Sequence, residues 1–175
     1  MNVLAICGSL RAESSNLEML RAAQALAPST IEVVFADGMG DLPPFNPDLD
    51  AEGALPPEGV AQWRAQVADA DGVIISSPEY AHGVPGALKN ALDWLVSTPA
   101  LFEKPVLLVN AAAAGATFAQ RSLAETLRTM NANVLDASLL EPFVKMRVTR
   151  LALDQEASAI LRASMAALAA AIEPR

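Results

Sequence analysis

Gly72-Val73-Ile74-Ile75-Ser76-Ser77-Pro78-Glu79-Tyr80-Ala81-His82-Gly83-Val84-Pro85-Gly86-Ala87-Leu88-Lys89-Asn90-Ala91-Leu92-Asp93-Trp94 is the stretch whose reading decides the fold. Residues 72–76 are a short, continuous apolar run bounded by a turn, the pattern of a strand buried on both faces. Residues 87–96 carry helical periodicity. Between them lies a turn rich in proline, glycine and polar groups. A strand that feeds a helix in this way belongs to an α/β sheet. In an open sheet of that kind, ligands sit beyond the carboxyl ends of the strands, over such turns.

The same alternation runs outward in both directions. Residues 3–7 form a first apolar run, and residues 16–26 place Leu17, Leu20, Ala23 and Leu26 on one side of a helix. Pro28 closes that helix. Residues 31–36 read as a β-branched second strand, and residues 60–70 as a helix with Val60, Trp63, Val67 and Ala70 on one face. A fourth strand follows at 105–109, a fourth helix at 117–130 and a short fifth strand at 133–135. A last helix spans 154–172, with Asp154 in the capping position. Residues 37–57 hold several prolines and glycines, and an irregular stretch this long is usually functional or interfacial. Alternating strands and helices predict a parallel sheet covered on both faces, with right-handed crossovers. Five strands in 175 residues predict an α/β, flavodoxin-like three-layer sandwich of strand order 2-1-3-4-5, forming one domain over residues 1–175. The switch point of that order lies between the first and third strands.

Bulk properties exclude several classes. Apolar residues make up 53% of the chain, which rules against disorder. A net charge of −8 argues against nucleic-acid and anionic-membrane partners, which need a basic face. The single cysteine, Cys7, forms no intrachain disulfide and no cysteine-built metal site, and it is expected to be a buried thiol. One histidine, His82, cannot build a metal cluster. The first residues lack a basic n-region. The alanine-rich end of the chain is interrupted by Arg162 and Ser164, short of the roughly 20 apolar residues of a membrane helix. These features predict a soluble protein of a reducing compartment, the cytoplasm. There is no Gly-x-Ser-x-Gly elbow and no Walker A pattern. No side chain is assigned as a catalytic acid or base; any chemistry is expected from a bound cofactor, with the protein supplying binding and orientation.

Two turns carry the candidate site. After the first strand, Gly8-Ser9-Leu10-Arg11-Ala12-Glu13-Ser14-Ser15-Asn16 leads into a helix. Helix N-termini hold phosphate through backbone N–H groups and the helix dipole. Ser9, Ser14, Ser15 and Asn16 add neutral donors there, and Arg11 adds a charged fork. The same residues also suit an ordinary helix start, with Ser14 or Ser15 as cap, Glu18 completing a capping box and Arg11 solvated. After the third strand, Pro78-Glu79-Tyr80 presents backbone donors and acceptors in a fixed array, suited to the edge of a flat ring. Gly83 permits close approach and Pro85 stiffens the helix entry. A rigid turn without a ligand is the alternative. His82 reads as a polar lining residue, Lys89 and Asp93 as a helical ion pair, and Trp94 as core or interface.

At these two turns the chain resembles the NADPH-dependent FMN reductase family of flavodoxin-like proteins, which includes quinone, azo-dye and chromate reductases. The residues that carry the resemblance are Gly8, Ser9, Leu10, Arg11, Ser14 and Asn16, then Pro78-Glu79-Tyr80 and the run from Gly83 to Trp94. Leu42-Pro43-Pro44-Phe45-Asn46-Pro47-Asp48 and Lys104-Pro105-Val106 match more weakly. The resemblance implies FMN phosphate contacts from Ser9, Arg11, Ser14, Ser15 and Asn16, and isoalloxazine contacts from Pro78, Glu79, Tyr80, Ala81 and Gly83. It implies NADPH or NADH as electron donor and a small electron acceptor such as a flavin or quinone. It further implies a homodimer or homotetramer, with residues 37–57 and 99–103 bordering the interface. The chain departs from the family at Asn110-Ala111-Ala112-Ala113-Ala114-Gly115-Ala116-Thr117, where many members carry a Ser/Gly-rich loop. Arg11, Arg121 and Arg147 are unranked candidates for a 2′-phosphate. Two rivals stand beside the reductase: a flavodoxin-like electron carrier without NAD(P)H activity, and a degenerate member that binds little flavin.

Overall fold

The computed structural model describes residues 1–51, 53–111, 117–135 and 155–173. Asp154, Arg147 and residues 112–116 of the alanine-rich loop, all singled out above, lie outside them. The strands are β1 (Asn2–Cys7), β2 (Glu32–Phe35), β3 (Gly72–Ser76), β4 (Pro105–Val109) and β5 (Asn133–Val134). The helices are α1 (Ser15–Leu26), α2 (Glu58–Asp69), α3 (Gly86–Asp93), α4 (Thr117–Thr129) and α5 (Gln155–Ile172). The sheet is parallel with order β2-β1-β3-β4-β5, as expected from the strand–helix alternation.

Successive side chains of a strand point to opposite faces, so an all-apolar strand feeds two cores at once. Leu4, Ile6, Val73, Ile75, Val106 and Leu108 pack with Val60, Trp63 and Val67 of α2, Leu88 and Leu92 of α3, and Leu123 and Leu127 of α4. Val3, Ala5, Ile74, Leu107 and Val109 pack with Met19, Leu20 and Ala23 of α1 and with Leu161, Met165 and Leu168 of α5. All five residues of β3 and of β4 are buried. Gly72 is fixed by the second core: a Cβ there would stand 2.8 Å from the Ile172 side chain.

Helix α3 is shorter than its periodicity predicts, because the chain turns tightly after Asp93. Residues 37–57 are less irregular than expected, since two short 3-10 turns, Met39–Asp41 and Pro47–Leu49, organise them. The stretch is clamped onto α3. The Asn90 side chain accepts from Phe45 N–H at 2.7 Å and donates to the Pro43 carbonyl at 2.9 Å. Fully buried Trp94 donates its indole N–H to the same carbonyl at 2.8 Å, and Phe45 meets its ring edge-on at 5.1 Å. Arg64 of α2 donates to the Trp94 carbonyl and pairs with Asp50 at 2.7 Å. Burial acts to raise the Asp50 pKa, but hydrogen bonds from Arg64 and Ser97 outweigh it and hold the carboxyl below its ordinary value.

Candidate functional site

The ladder between β1 and β3 pairs Cys7 with Ser76, so both strands end at the same level of the sheet. Gly8 N–H donates to the Ser76 carbonyl at 2.8 Å. The two candidate turns therefore leave the carboxyl edge side by side, at the point where the chain switches direction across the sheet. Their contact is close. A Cβ on Gly8 would lie 2.8 Å from Ser77 Oγ and 3.0 Å from both Ser77 Cβ and Leu88 Cδ2, so any side chain there would push Ser77 and Leu88 aside.

The first turn divides its polar residues into two groups. Ser14 and Asn16 are buried and face inward. Ser14 is the N-cap of α1 and accepts from Asn16 N–H at 3.2 Å. Asn16 Oδ1 accepts from the buried Ser76 hydroxyl at 2.9 Å, tying α1 to the end of β3. Glu18 does not complete a capping box; its side chain pairs with Arg21. Cys7 is half-buried rather than fully buried; it packs against the second core, and its thiol donates to the Ser9 carbonyl at 3.4 Å. The second group faces outward. Arg11 and Ser15 are exposed, and the Arg11 guanidinium has no ion-pair partner among the described residues. Ser9 Oγ accepts from Arg11 N–H at 3.3 Å, which leaves its own proton free to donate elsewhere. A cation, outward hydroxyls and the N-terminus of a 12-residue helix make a donor set suited to a phosphate monoester.

The second turn is a two-residue hairpin. Tyr80 N–H donates to the Gly83 carbonyl at 3.1 Å, and Gly83 N–H returns to the Tyr80 carbonyl at 2.9 Å. Its central residues, Ala81 and His82, have φ of 49° and 61°. This is the type I′ geometry, which ordinarily recruits glycine or asparagine. The positive φ thus falls on Ala81 and His82, while Gly83 has ordinary room: a Cβ there would meet the Tyr80 carbonyl at 3.5 Å. Pro85 is the N-cap of α3. Pro78 and Glu79 are half-buried, and Tyr80 is 57% exposed. The Glu79 carboxylate is turned away from the turn and accepts from Ala119 N–H, in the first turn of α4, at 2.9 Å. His82 stacks on Phe118, with centroids 4.4 Å apart and planes 18° apart. Phe118 escaped the sequence reading; the available signal was an aromatic opening a helix directly after the alanine-rich loop. Lys89 and Asp93 form the expected ion pair.

Two turns side by side at the switch point of a doubly wound parallel sheet of order 2-1-3-4-5 give the chain a flavodoxin-like fold with its candidate site at the carboxyl edge. Comparison with known proteins narrows the class. The NADPH-dependent FMN reductase family matches residues 1–143, and the chain belongs to that family. A 2-hydroxy-1,4-benzoquinone reductase of Burkholderia sp is 42% identical over 94 residues, covering 54% of this chain and 49% of that protein. An NAD(P)H-dependent FMN reductase of Pseudomonas aeruginosa is 35% identical over 140 residues, covering 78% of this chain and 74% of that protein. The match thus spans about half the length of the first relative and three quarters of the second. Among solved structures, the flavoenzyme NAD(P)H:(acceptor) oxidoreductase FerB from Paracoccus denitrificans superposes with a TM-score of 0.84 at 27% identity, covering 98% of this chain and 96% of that one.

Proposed function

We propose that this protein is an NAD(P)H-dependent FMN oxidoreductase that reduces a small acceptor, a flavin, quinone or similar molecule. One observation carries the reading: the β1–β3 ladder sets a turn with the exposed Arg11 and outward hydroxyls next to a rigid hairpin at the switch point. When bound, FMN supplies hydride acceptance and donation. Ser9, Arg11 and Ser15 hold its phosphate, with the N-terminus of α1 adding its dipole. Ser14 and Asn16 belong to the cradle through its base, shaping the α1 start that the outward groups ride on. Pro78, Glu79, Tyr80, Ala81 and Gly83 form the rim against the flat ring, chiefly with backbone groups. No acid or base on the chain is needed; positioning is the main contribution of the protein.

Family membership and the acceptor reductases among its relatives support the reductase over an electron carrier. We further propose one domain over residues 1–175, a cytoplasmic location and a homodimer or homotetramer. Sharing of one sheet by both cores supports the first. The second rests on a lone, unpaired cysteine; no helix among the described residues is long and apolar enough to cross a membrane. Exposed Leu49, Leu55 and Phe102 support the third, since they stand on the two segments expected to border an interface. Anaerobic mixing of the FMN-loaded protein with NADPH, and separately with NADH, tests the activity. Rapid bleaching of the flavin band is expected. A flavin that binds but is bleached by neither nucleotide would leave the carrier reading standing.

A further inference from the structure

We infer that Glu79 and the His82–Phe118 stack are positioning residues that set the ring rim by tethering it to the N-terminus of α4. The inference rests on the FMN reading and assigns these side chains a part beyond direct contact with the ring.

The hairpin around Ala81 and His82 is held away from its relaxed state. Left-handed φ is unfavourable for a residue with a Cβ, and two adjacent residues carry it here. Such a conformation persists only when its surroundings hold it. The hairpin's paired hydrogen bonds hold the conformation itself, and two contacts from one place hold its position. Glu79 Oε2 accepts from Ala119 N–H at 2.9 Å, one of the first N–H groups of α4 that have no partner within the helix. A carboxylate at that end is also favoured by the helix dipole. Three residues along, the His82 ring lies flat on Phe118 at 4.4 Å. The tethers grip either end of the 79–82 segment and land on neighbouring residues of α4. The hairpin's own hydrogen bonds fix its shape, whereas these contacts fix where it stands relative to the sheet edge. With its charge committed to α4, Glu79 leaves the rim's backbone groups to face a ligand.

The test is titration of the apoprotein with FMN and with riboflavin, which has the same ring and no phosphate. Glu79→Ala is expected to weaken both about tenfold and equally, because the ring side of the site is displaced and the cradle is not. Glu79→Gln keeps an acceptor oxygen and is expected to recover most of the loss. Phe118→Leu, which leaves Glu79 in place, is expected to weaken both ligands severalfold and to carry the test if Glu79→Ala does not fold. The visible absorption of bound FMN should shift in the same variants, which a purely structural role would not produce. Wild-type affinity and spectrum in Glu79→Ala and in Phe118→Leu would overturn the inference alone. Failure of the wild-type protein to bind FMN would overturn the functional reading, and this inference with it.

Discussion

The two turns at the sheet edge handle charge in opposite ways. The first turn leaves Arg11 in solvent and buries only neutral groups, Ser14 and Asn16. The second turn commits its one carboxylate, Glu79, to a helix elsewhere in the fold and exposes an aromatic, Tyr80. One turn has ligand-binding capacity to spare, and the other spends its side chains on its own placement. A phosphate needs charge and donors, which side chains supply. A flat ring needs a rim in a fixed position, which backbone supplies once side chains hold it.

This contrast can be broken in four places. The helix after the second turn is a buried anchor, so Trp94→Ala should show the largest effect: a loss of about 3–5 kcal/mol in denaturant unfolding, from the void and the lost indole hydrogen bond to the Pro43 carbonyl. Arg11→Ala should do the reverse. Its stability should stay within about 0.5 kcal/mol of wild type, while FMN binding measured by calorimetry weakens by about 1.5–3 kcal/mol. Asn16→Ala, on the inward side of the first turn, should cost about 1–3 kcal/mol of unfolding free energy by stranding the buried Ser76 hydroxyl. The smallest effect is expected from Ala81→Gly, which relieves a positive φ and should stabilise by about 1 kcal/mol in thermal unfolding. A destabilised Ala81→Gly would show that the hairpin is not held under strain.

Much of this was legible in the sequence. The parallel sheet followed from continuous apolar runs separated by helical patterns, since such strands are buried on both faces, and the order 2-1-3-4-5 from there being five strands in a chain of this size. The first turn was legible because its chemistry is local: a cap, a cation and hydroxyls within nine residues. What escaped depends on contacts between distant segments. Nothing near Glu79 in sequence reveals that its carboxylate meets the start of α4, some 40 positions later. Asn90 gave no sign that it clamps residues 43–45, some 45 positions earlier. Gly83 was read as the place of close approach, and nothing in the sequence showed that the positive φ falls on Ala81 and His82, where the pairing of Tyr80 with Gly83 sets the turn type. Cys7 looked like core from its strand; it packs against the second core but, at the strand's end, is only partly covered.

The most direct test of the account compares FMN and riboflavin on the wild-type apoprotein, by calorimetric titration at fixed ionic strength. The phosphate cradle predicts that FMN binds at least tenfold more tightly than riboflavin and that Arg11→Ala narrows the gap by weakening FMN alone. Equal affinities for the two ligands would contradict it.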